Sequence, residues 1–325
     1  MMQIGLIGLG AGAAAALLFA SVTSGSWLSV ILFYLAPLPI MIAGLGWSHW
    51  AAMVAAIAAA AAVGIIFGAA FFFAFLAGVG IPAWWLTYLA LLARPATASA
   101  GAPNEPALEW YPPGRLVVWA AALAALIVLF AIPNFGLDAE SFRAGLTNAL
   151  NRMLQVDVAK DAALPAPNAA NTKRLIEFLV TVIPPAAAVL ATVTSLVNLW
   201  LAGRIVKFSG RLARPWPQLS AMTFPPAAAA ALAIATGLSF IDGLLGIVAG
   251  VLSASLFMAY GVLGLAVLHD ITRGITSRPF LIGGAYASIA VLGWPVLAFS
   301  LLGLVETMFS LRARVAKRRG PTAPT

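Results

Sequence analysis

The feature that most constrains this chain is a succession of apolar runs of about 17 to 25 residues, the length a helix needs to cross roughly 30 Å of hydrocarbon. They recur almost from end to end of the 325 residues. Only 9% of residues are charged and 62% are hydrophobic, against about 25% charged in an ordinary soluble domain. A mean hydropathy of +1.01 is more apolar surface than one water-soluble core could absorb. The fold class expected is all-α, a polytopic transmembrane helical bundle with lipid as its main solvent.

Ten membrane segments are read: Ile4 to Val22, Trp27 to Leu45, His49 to Ile66, Phe67 to Leu92, Leu116 to Ile132, Leu175 to Leu201, Phe224 to Ile241, Leu244 to Leu268, and two from Phe280 to Leu311. The first is expected to be a retained helix rather than a cleaved signal, because no Lys or Arg precedes it. The fourth is expected to bend at Gly78-Val79-Gly80-Ile81-Pro82, where two glycines and a proline weaken the backbone ladder. The 32-residue stretch from Phe280 is divided at Gly293-Trp294-Pro295, a division that charge supports.

The chain carries 18 Lys and Arg against 10 Asp and Glu, a formal charge of +8. The basic residues sit in loops and the tail rather than on one soluble face, so they report orientation and no nucleic-acid partner is expected. Arg204, Lys207, Arg211 and Arg214 crowd a loop without an acid. The tail Arg312, Arg314, Lys317, Arg318, Arg319 is equally basic. Placing both in the cytoplasm requires an even number of crossings. Both termini are then cytoplasmic, in a bacterial inner membrane, and the polar region at about 134–174 is external. Residues 1–311 form a single membrane domain and 312–325 a basic tail.

Between Arg94 and Arg115 lies a loop rich in Pro, Ala and Gly in which Glu105 and Glu109 offset the arginines. In the polar insertion Asp138 is a candidate helix N-cap, followed by Phe142, Leu146, Ala149, Leu150, Met153 and Leu154 at three- and four-residue spacing. That spacing predicts a short amphipathic helix, lying on the membrane surface or covering the mouth of the bundle. Asp138, Glu140, Asp157 and Asp161 there offset Arg143, Arg152 and Lys160.

Catalytic machinery is not evident. There is no Gly-rich phosphate cradle ending in Lys-Ser/Thr, no GxSxG elbow, no HExxH helix and no paired carboxylates at helical spacing. Cysteine is absent and the two histidines, His49 and His269, lie far apart. Disulfides, thiolate chemistry and a Cys- or His-rich metal site are therefore not expected. No enzyme activity, cofactor or metal is expected.

Ionisable and polar residues inside the hydrocarbon are functional candidates by default. Glu177, Asn198 and Glu306 are the ones to place. Glu177 follows Lys173 and Arg174 at four and three residues, a spacing that allows a local helical ion pair. Asn198, among Thr192, Thr194 and Ser195, suits an interhelical hydrogen bond or a ligand contact. Glu306 suits pairing with the basic tail, a partner subunit or ion coupling. Asp242 reads as a solvated turn residue and His49, between Trp47 and Trp50, as interfacial. Gly8, Gly12 and Ala16 form a small-residue face able to dock on another helix, within the chain or on a partner.

The order of several features is also informative: Leu35-Ala36-Pro37-Leu38-Pro39 with Ala43-Gly44-Leu45-Gly46-Trp47, Ile183-Pro184 with Asn198, Arg214-Pro215-Trp216-Pro217, Tyr260-Gly261 with Gly264-Leu265-Ala266, and Leu302-Gly303-Leu304-Val305-Glu306 with Phe309 and Arg312. In this order the chain resembles the YybS-like family of bacterial membrane proteins, with Glu306 where that family would carry Asp. The resemblance extends distantly to the substrate-binding S components of energy-coupling-factor transporters. It implies a subunit that binds a small solute and docks on a transmembrane coupling subunit driven by ATPases, with Gly8, Gly12 and Ala16 matching the docking face of the first helix. The rival expectation is a membrane scaffold or assembly factor, suggested by the scarcity of buried polar groups and the basic tail.

The absence of native cysteine makes the orientation testable. A cysteine placed at Ser209 is expected to react with an impermeant maleimide only from the cytoplasmic side, and one at Gln155 only from outside. The reverse labelling would invert the topology.

Overall fold

In hydrocarbon a chain must close its own backbone hydrogen bonds, and this one does so with helices. The structure, a computed structural model, describes residues 2–95, 108–160 and 169–319. Its helices are α1 (Met2–Ala20), α2 (Trp27–Tyr34), α3 (Pro37–Gly46), α4 (His49–Phe67), α5 (Ala69–Phe75), α6 (Ile81–Leu91), α7 (Pro113–Ala131), α8 (Ala139–Lys160), α9 (Ala169–Phe208), α10 (Pro226–Leu238), α11 (Leu244–Ile271), α12 (Arg278–Leu292), α13 (Val296–Phe309) and α14 (Leu311–Arg319). A small antiparallel hairpin pairs β1 (Ala93–Pro95) with β2 (Leu108–Trp110). Glu105, Asp161, the side chains of Leu154, Asp157, Lys160, Arg318 and Arg319, and the tail past Arg319 lie outside the described residues.

Among the described residues seven helical segments are long and apolar enough to cross a bilayer. They match the first six expected segments and the eighth. The remaining three expected segments are the shorter apolar helices α10, α12 and α13, of 13, 15 and 14 residues. At 1.5 Å per residue these measure about 20–22 Å, short of a straight 30 Å crossing.

Several boundaries differ from expectation, each for a backbone reason. The second segment is two helices, because Pro37 has no N–H to continue α2 and instead starts α3. α4 and α5 part at Gly68, whose φ of +101° suits glycine alone. The bend expected near Gly78 is a π-helical turn, Leu76–Gly80, ending just before Pro82. α9 runs on to Phe208, past the expected Leu201, and passes through Pro184 and Pro185 without ending. The division of the last stretch falls where expected: α12 stops at Leu292, Gly293 has a φ of +71°, and α13 starts after Pro295.

Small residues set how closely these helices approach. α4 buries Ala51, Ala52, Ala55, Ala56, Ala59, Ala60 and Val63, a broad stripe at helical spacing. α1, α3 and α6 pack on it. A second core gathers Val117 and Ala121 of α7 with Met222 and Phe224 of the preceding loop, Leu232 of α10, and Leu256, Tyr260 and Leu263 of α11. α7 and α9 contact each other and link the two halves. α11 and α13 meet backbone to backbone where Gly261 and Gly264 face Val296 and Phe299, and Gly303 faces Tyr260.

The two ends of the bundle differ in chemistry. At one end the β1–β2 hairpin, the 209–223 loop, the turn after α11 and α14 come together through arginine contacts. We call this the basic end. At the other, Asp138 Oδ1 accepts from the backbone N–H groups of Glu140 and Ser141 at 3.0 and 2.9 Å, capping α8 as expected. These bonds hold the Asp138 carboxyl below the usual carboxylate range, the Ser141 backbone donor contributing most. Phe142 and Leu146 are buried against Ile132, Ile176 and Val180. α8 therefore covers the mouth of the bundle with the first half of its apolar stripe, whereas Met153 is exposed.

The glycine contact between α11 and α13 leaves no room for a methyl group, since a Cβ on Gly264 would overlap the carbonyl of Phe299. Gly264→Ala should lower the unfolding free energy by about 1–3 kcal/mol, read as a lower thermal midpoint of the detergent-solubilised protein. Gly283→Ala, where nothing lies within 4 Å, should change it by less than about 0.5 kcal/mol.

Candidate functional site

Glu177, Asn198 and Glu306 do not share a cavity. Glu177 and Asn198 are both on α9, separated by 21 residues or roughly 30 Å along the axis. Glu177 is exposed near the α8 end and forms no ion pair with Lys173 or Arg174 among the described residues, contrary to the pairing their spacing allows. Its side chain is exposed there, so no burial has to be offset by a partner within the chain.

Asn198 is 1% exposed and works on a neighbouring backbone. Its Nδ2 donates to the carbonyl of Tyr34 at 2.9 Å and to that of Thr194 at 2.8 Å. The Tyr34 carbonyl lies at the break between α2 and α3, where the N–H of Leu38 turns to Leu35 instead. The amide thus fills the hydrogen bond that the break opens, a structural task of the kind lipid demands.

Glu306 ends α13 at the basic end and is 9% exposed. Arg312 Nε donates to its Oε1 at 2.8 Å, and the Arg312 backbone N–H to its Oε2 at 3.0 Å. Ser310, at φ +51°, makes the left-handed turn that brings the chain back for this contact. The same guanidinium donates to the carbonyls of Ser220 and Met222 at 2.7 and 2.9 Å. Glu306 pairs with the start of the basic tail, and the pair staples the 219–222 turn to α13.

The small-residue face of α1 is occupied within the chain. A Cβ on Gly8 would lie 2.7 Å from the Val54 side chain, and one on Gly12 2.7 Å from the Ala55 carbonyl. Ala16 is buried with them. The partner of this face is α4, so Gly8, Gly12 and Ala16 are not free to dock on another subunit in this arrangement.

The residues with chemistry to spare lie instead at the α8 end. A cleft of about 740 Å³ opens between Asn134-Phe135 and α8, lined by Gly145, Asn148, Asn151 and Arg152. The amides of Asn148 and Asn151 offer donors and acceptors together, Asn134 already donates to the Ala131 carbonyl at 3.2 Å, and Arg152 adds a cation. Arg152 Nε donates to the Asn148 carbonyl at 3.3 Å, which leaves its terminal nitrogens for a ligand. Gly145 packs against the Phe135 carbonyl, so α8 rests directly on the loop that floors the cleft. Its volume is that of a small-molecule site. Reading the sequence by segments missed this group, because the asparagines at 134, 148 and 151 become neighbours only when α8 folds back over the end of α7; their spacing of three on α8 was the available signal. A second, smaller cleft of about 280 Å³ lies between α9, α11 and α13, where the Ser239, Ser253 and Ser300 hydroxyls are already bonded within the protein.

Arg214, in the sequence one of the orientation signals and the start of the Arg214-Pro215-Trp216-Pro217 run, is a buried fastener. It is 8% exposed, and its Nη1 and Nη2 donate to the carbonyls of Ala90 and Tyr111 at 3.1 and 3.3 Å. Burial pushes its pKa down from the ordinary arginine value. Among the described residues no group of three His, Asp or Glu is placed to hold a metal ion.

The chain belongs to the predicted membrane protein family DUF2232, which it matches over residues 13–307. No curated protein and no solved structure is detectably similar to it.

Removing Arg312 would leave Glu306 buried without its cation. Arg312→Ala should therefore cost about 3 kcal/mol and lower the thermal midpoint, whereas the double variant Glu306→Leu/Arg312→Met should recover much of that loss. Equal losses in the single and double variants would show that the pair acts through packing alone.

Proposed function

We propose that the chain is a non-enzymatic solute-binding subunit of a bacterial inner-membrane transporter, similar in role to an S component. The observation that carries this reading is the 740 Å³ cleft under α8 with its three asparagines and Arg152. Amides and a guanidinium converging at the mouth of an apolar bundle suit a polar solute bearing a carboxylate or phosphate. The site lies at the end opposite the cationic loops, which the positive-inside rule assigns to the cytoplasm, so the solute would be collected from outside. Both termini are then cytoplasmic.

Supporting this role, the chain has no nucleotide cradle of its own, and the transport energy would come from a coupling subunit with its ATPases. Because α4 already covers the Gly8, Gly12 and Ala16 face, that subunit would dock elsewhere, and α12, which buries none of its residues, offers an apolar surface for it. A membrane scaffold is the second reading, favoured by the tightly filled α1–α4 and α11–α13 contacts and by the Glu306–Arg312 staple.

The test is a ligand screen on the full-length protein purified from its native membrane, read by thermal shift and by mass spectrometry of co-purifying metabolites. A bound solute is expected whose stabilising effect disappears in Asn151→Ala/Arg152→Ala. The protein should also co-purify with an ATPase-bearing complex. Neither a solute nor such a complex would leave the scaffold reading in its place.

A further inference from the structure

Four cations follow one another where α9 leaves the apolar layer: Arg204, Lys207, Arg211 and Arg214. Among the described residues none of them pairs with a carboxylate. Aromatic rings hold them instead. The Arg204 guanidinium lies 5.7 Å from the Trp200 ring and 5.8 Å from that of Trp216, and the Lys207 ammonium lies 5.3 Å from the Trp216 ring. Arg211 lies 4.7 Å over Trp47.

The arrangement is built rather than incidental to a loose loop. Arg214 pins the 209–218 loop to the carbonyls of Ala90 and Tyr111, with the Trp110 ring 6.0 Å away. Gly203 then gives Trp216 a bare patch of α9 to lie against. This fixes Trp216 beneath two cations one turn apart.

A ring satisfies the face of a guanidinium but not its N–H edge. Among the described residues the side chains of Arg204, Lys207 and Arg211 make no hydrogen bond, and the buried Nε of Arg214 has no acceptor. The loop supplies donors in excess and no anion. Its depth identifies the missing acceptor. Exposed Trp200, Ile205 and Phe208 share this end of α9 with the cations, so apolar surface and positive charge meet at one level, that of tryptophans and phosphates at a bilayer surface.

We propose that Arg204 and Lys207, backed by Trp216 and flanked by Arg211, form a binding site for the headgroup of an anionic phospholipid. The phosphodiester would accept from Arg204 and Lys207, and the acyl chains would cover Trp200 and Phe208. An acidic protein segment could meet the charge but would leave that apolar surface bare. A zwitterionic lipid offers the same phosphate with its own cation competing for it. The site does not depend on the solute-binding role, since it lies at the opposite end of the molecule.

The full-length protein in phosphatidylcholine nanodiscs should be titrated with phosphatidylglycerol, with retained lipid counted by native mass spectrometry. Phosphatidylglycerol is expected to be retained and to raise the thermal midpoint, whereas added phosphatidylcholine or inorganic phosphate is not. Arg204→Gln/Lys207→Gln should weaken retention roughly thirtyfold and Arg211→Gln roughly fivefold, from about a factor of five per interfacial cation. Arg204→Lys should keep most of it, and Arg314→Gln, in the tail, all of it. Equal retention of phosphatidylcholine, equal stabilisation by inorganic phosphate, or unchanged retention in the double variant would each overturn the proposal. So would an acidic protein partner bound through these residues in the absence of anionic lipid. Should the double variant not fold, the graded response of Arg211→Gln against Arg204→Lys decides the same question.

Discussion

The backbone of this protein cannot turn to water inside the bilayer, and that constraint explains more of the structure than any other. Each interruption of a helix opens hydrogen-bonding groups whose exposure to hydrocarbon would cost several kcal/mol. At the break after Tyr34 the open carbonyl is taken by the Asn198 amide from another helix. Hydroxyls turn back on their own helices: Thr87 to Ala83 and Thr192 to Ala188. Ser300 on α13 reaches across to the Phe257 carbonyl of α11 as well as to its own Val296. Most of these hydroxyl and amide donors are spent on backbone carbonyls, although the buried Asn198 Oδ1 and Tyr260 hydroxyl keep no partner.

With the polar groups committed, contact between helices rests on shape. Gly8 and Gly12 let α1 lie on the Ala51–Ala59 stripe of α4, and Gly264 and Gly303 let α11 and α13 touch through their backbones. That such faces exist is legible in a sequence, because glycine and alanine at four-residue spacing announce them. Which helix each face meets is not, since an alanine-rich chain offers the same spacing on many helices. Proline shows the same division. Pro295 with Gly293 marks a true break, and so does Pro37. Pro184 and Pro185, equally visible, lie within an uninterrupted 40-residue helix. The residue type announces a lost hydrogen bond; the neighbours decide whether the helix survives it.

Charge was legible at the scale of loops and less so at the scale of pairs. The clustering of arginines predicted that the 204–214 loop and the tail would share one end, and arginine contacts bring the β1–β2 hairpin, the 209–223 and 272–277 connections and α14 together there. Glu306 is six residues before Arg312, outside helical pairing distance, and meets it only because Ser310 turns left-handed. Glu177, at ideal spacing from Lys173 and Arg174, is exposed and gains little from pairing. Spacing alone overvalues surface pairs and undervalues those that a turn creates.

These constraints divide the molecule by depth. The middle is filled with small side chains and with hydroxyls that bond to neighbouring backbone, and its few unpartnered polar atoms, such as the Tyr260 hydroxyl, are buried in packed surroundings. Among the described residues, accessible polar groups concentrate at the two ends of the bundle. At the α8 end they are amides and one arginine around a cleft; at the basic end they are guanidinium edges without acceptors. A packed middle with polar ends suits a protein whose ligands are presented to it at the two membrane surfaces, the proposed polar solute at one and the proposed lipid headgroup at the other, rather than one that opens a polar path through its centre.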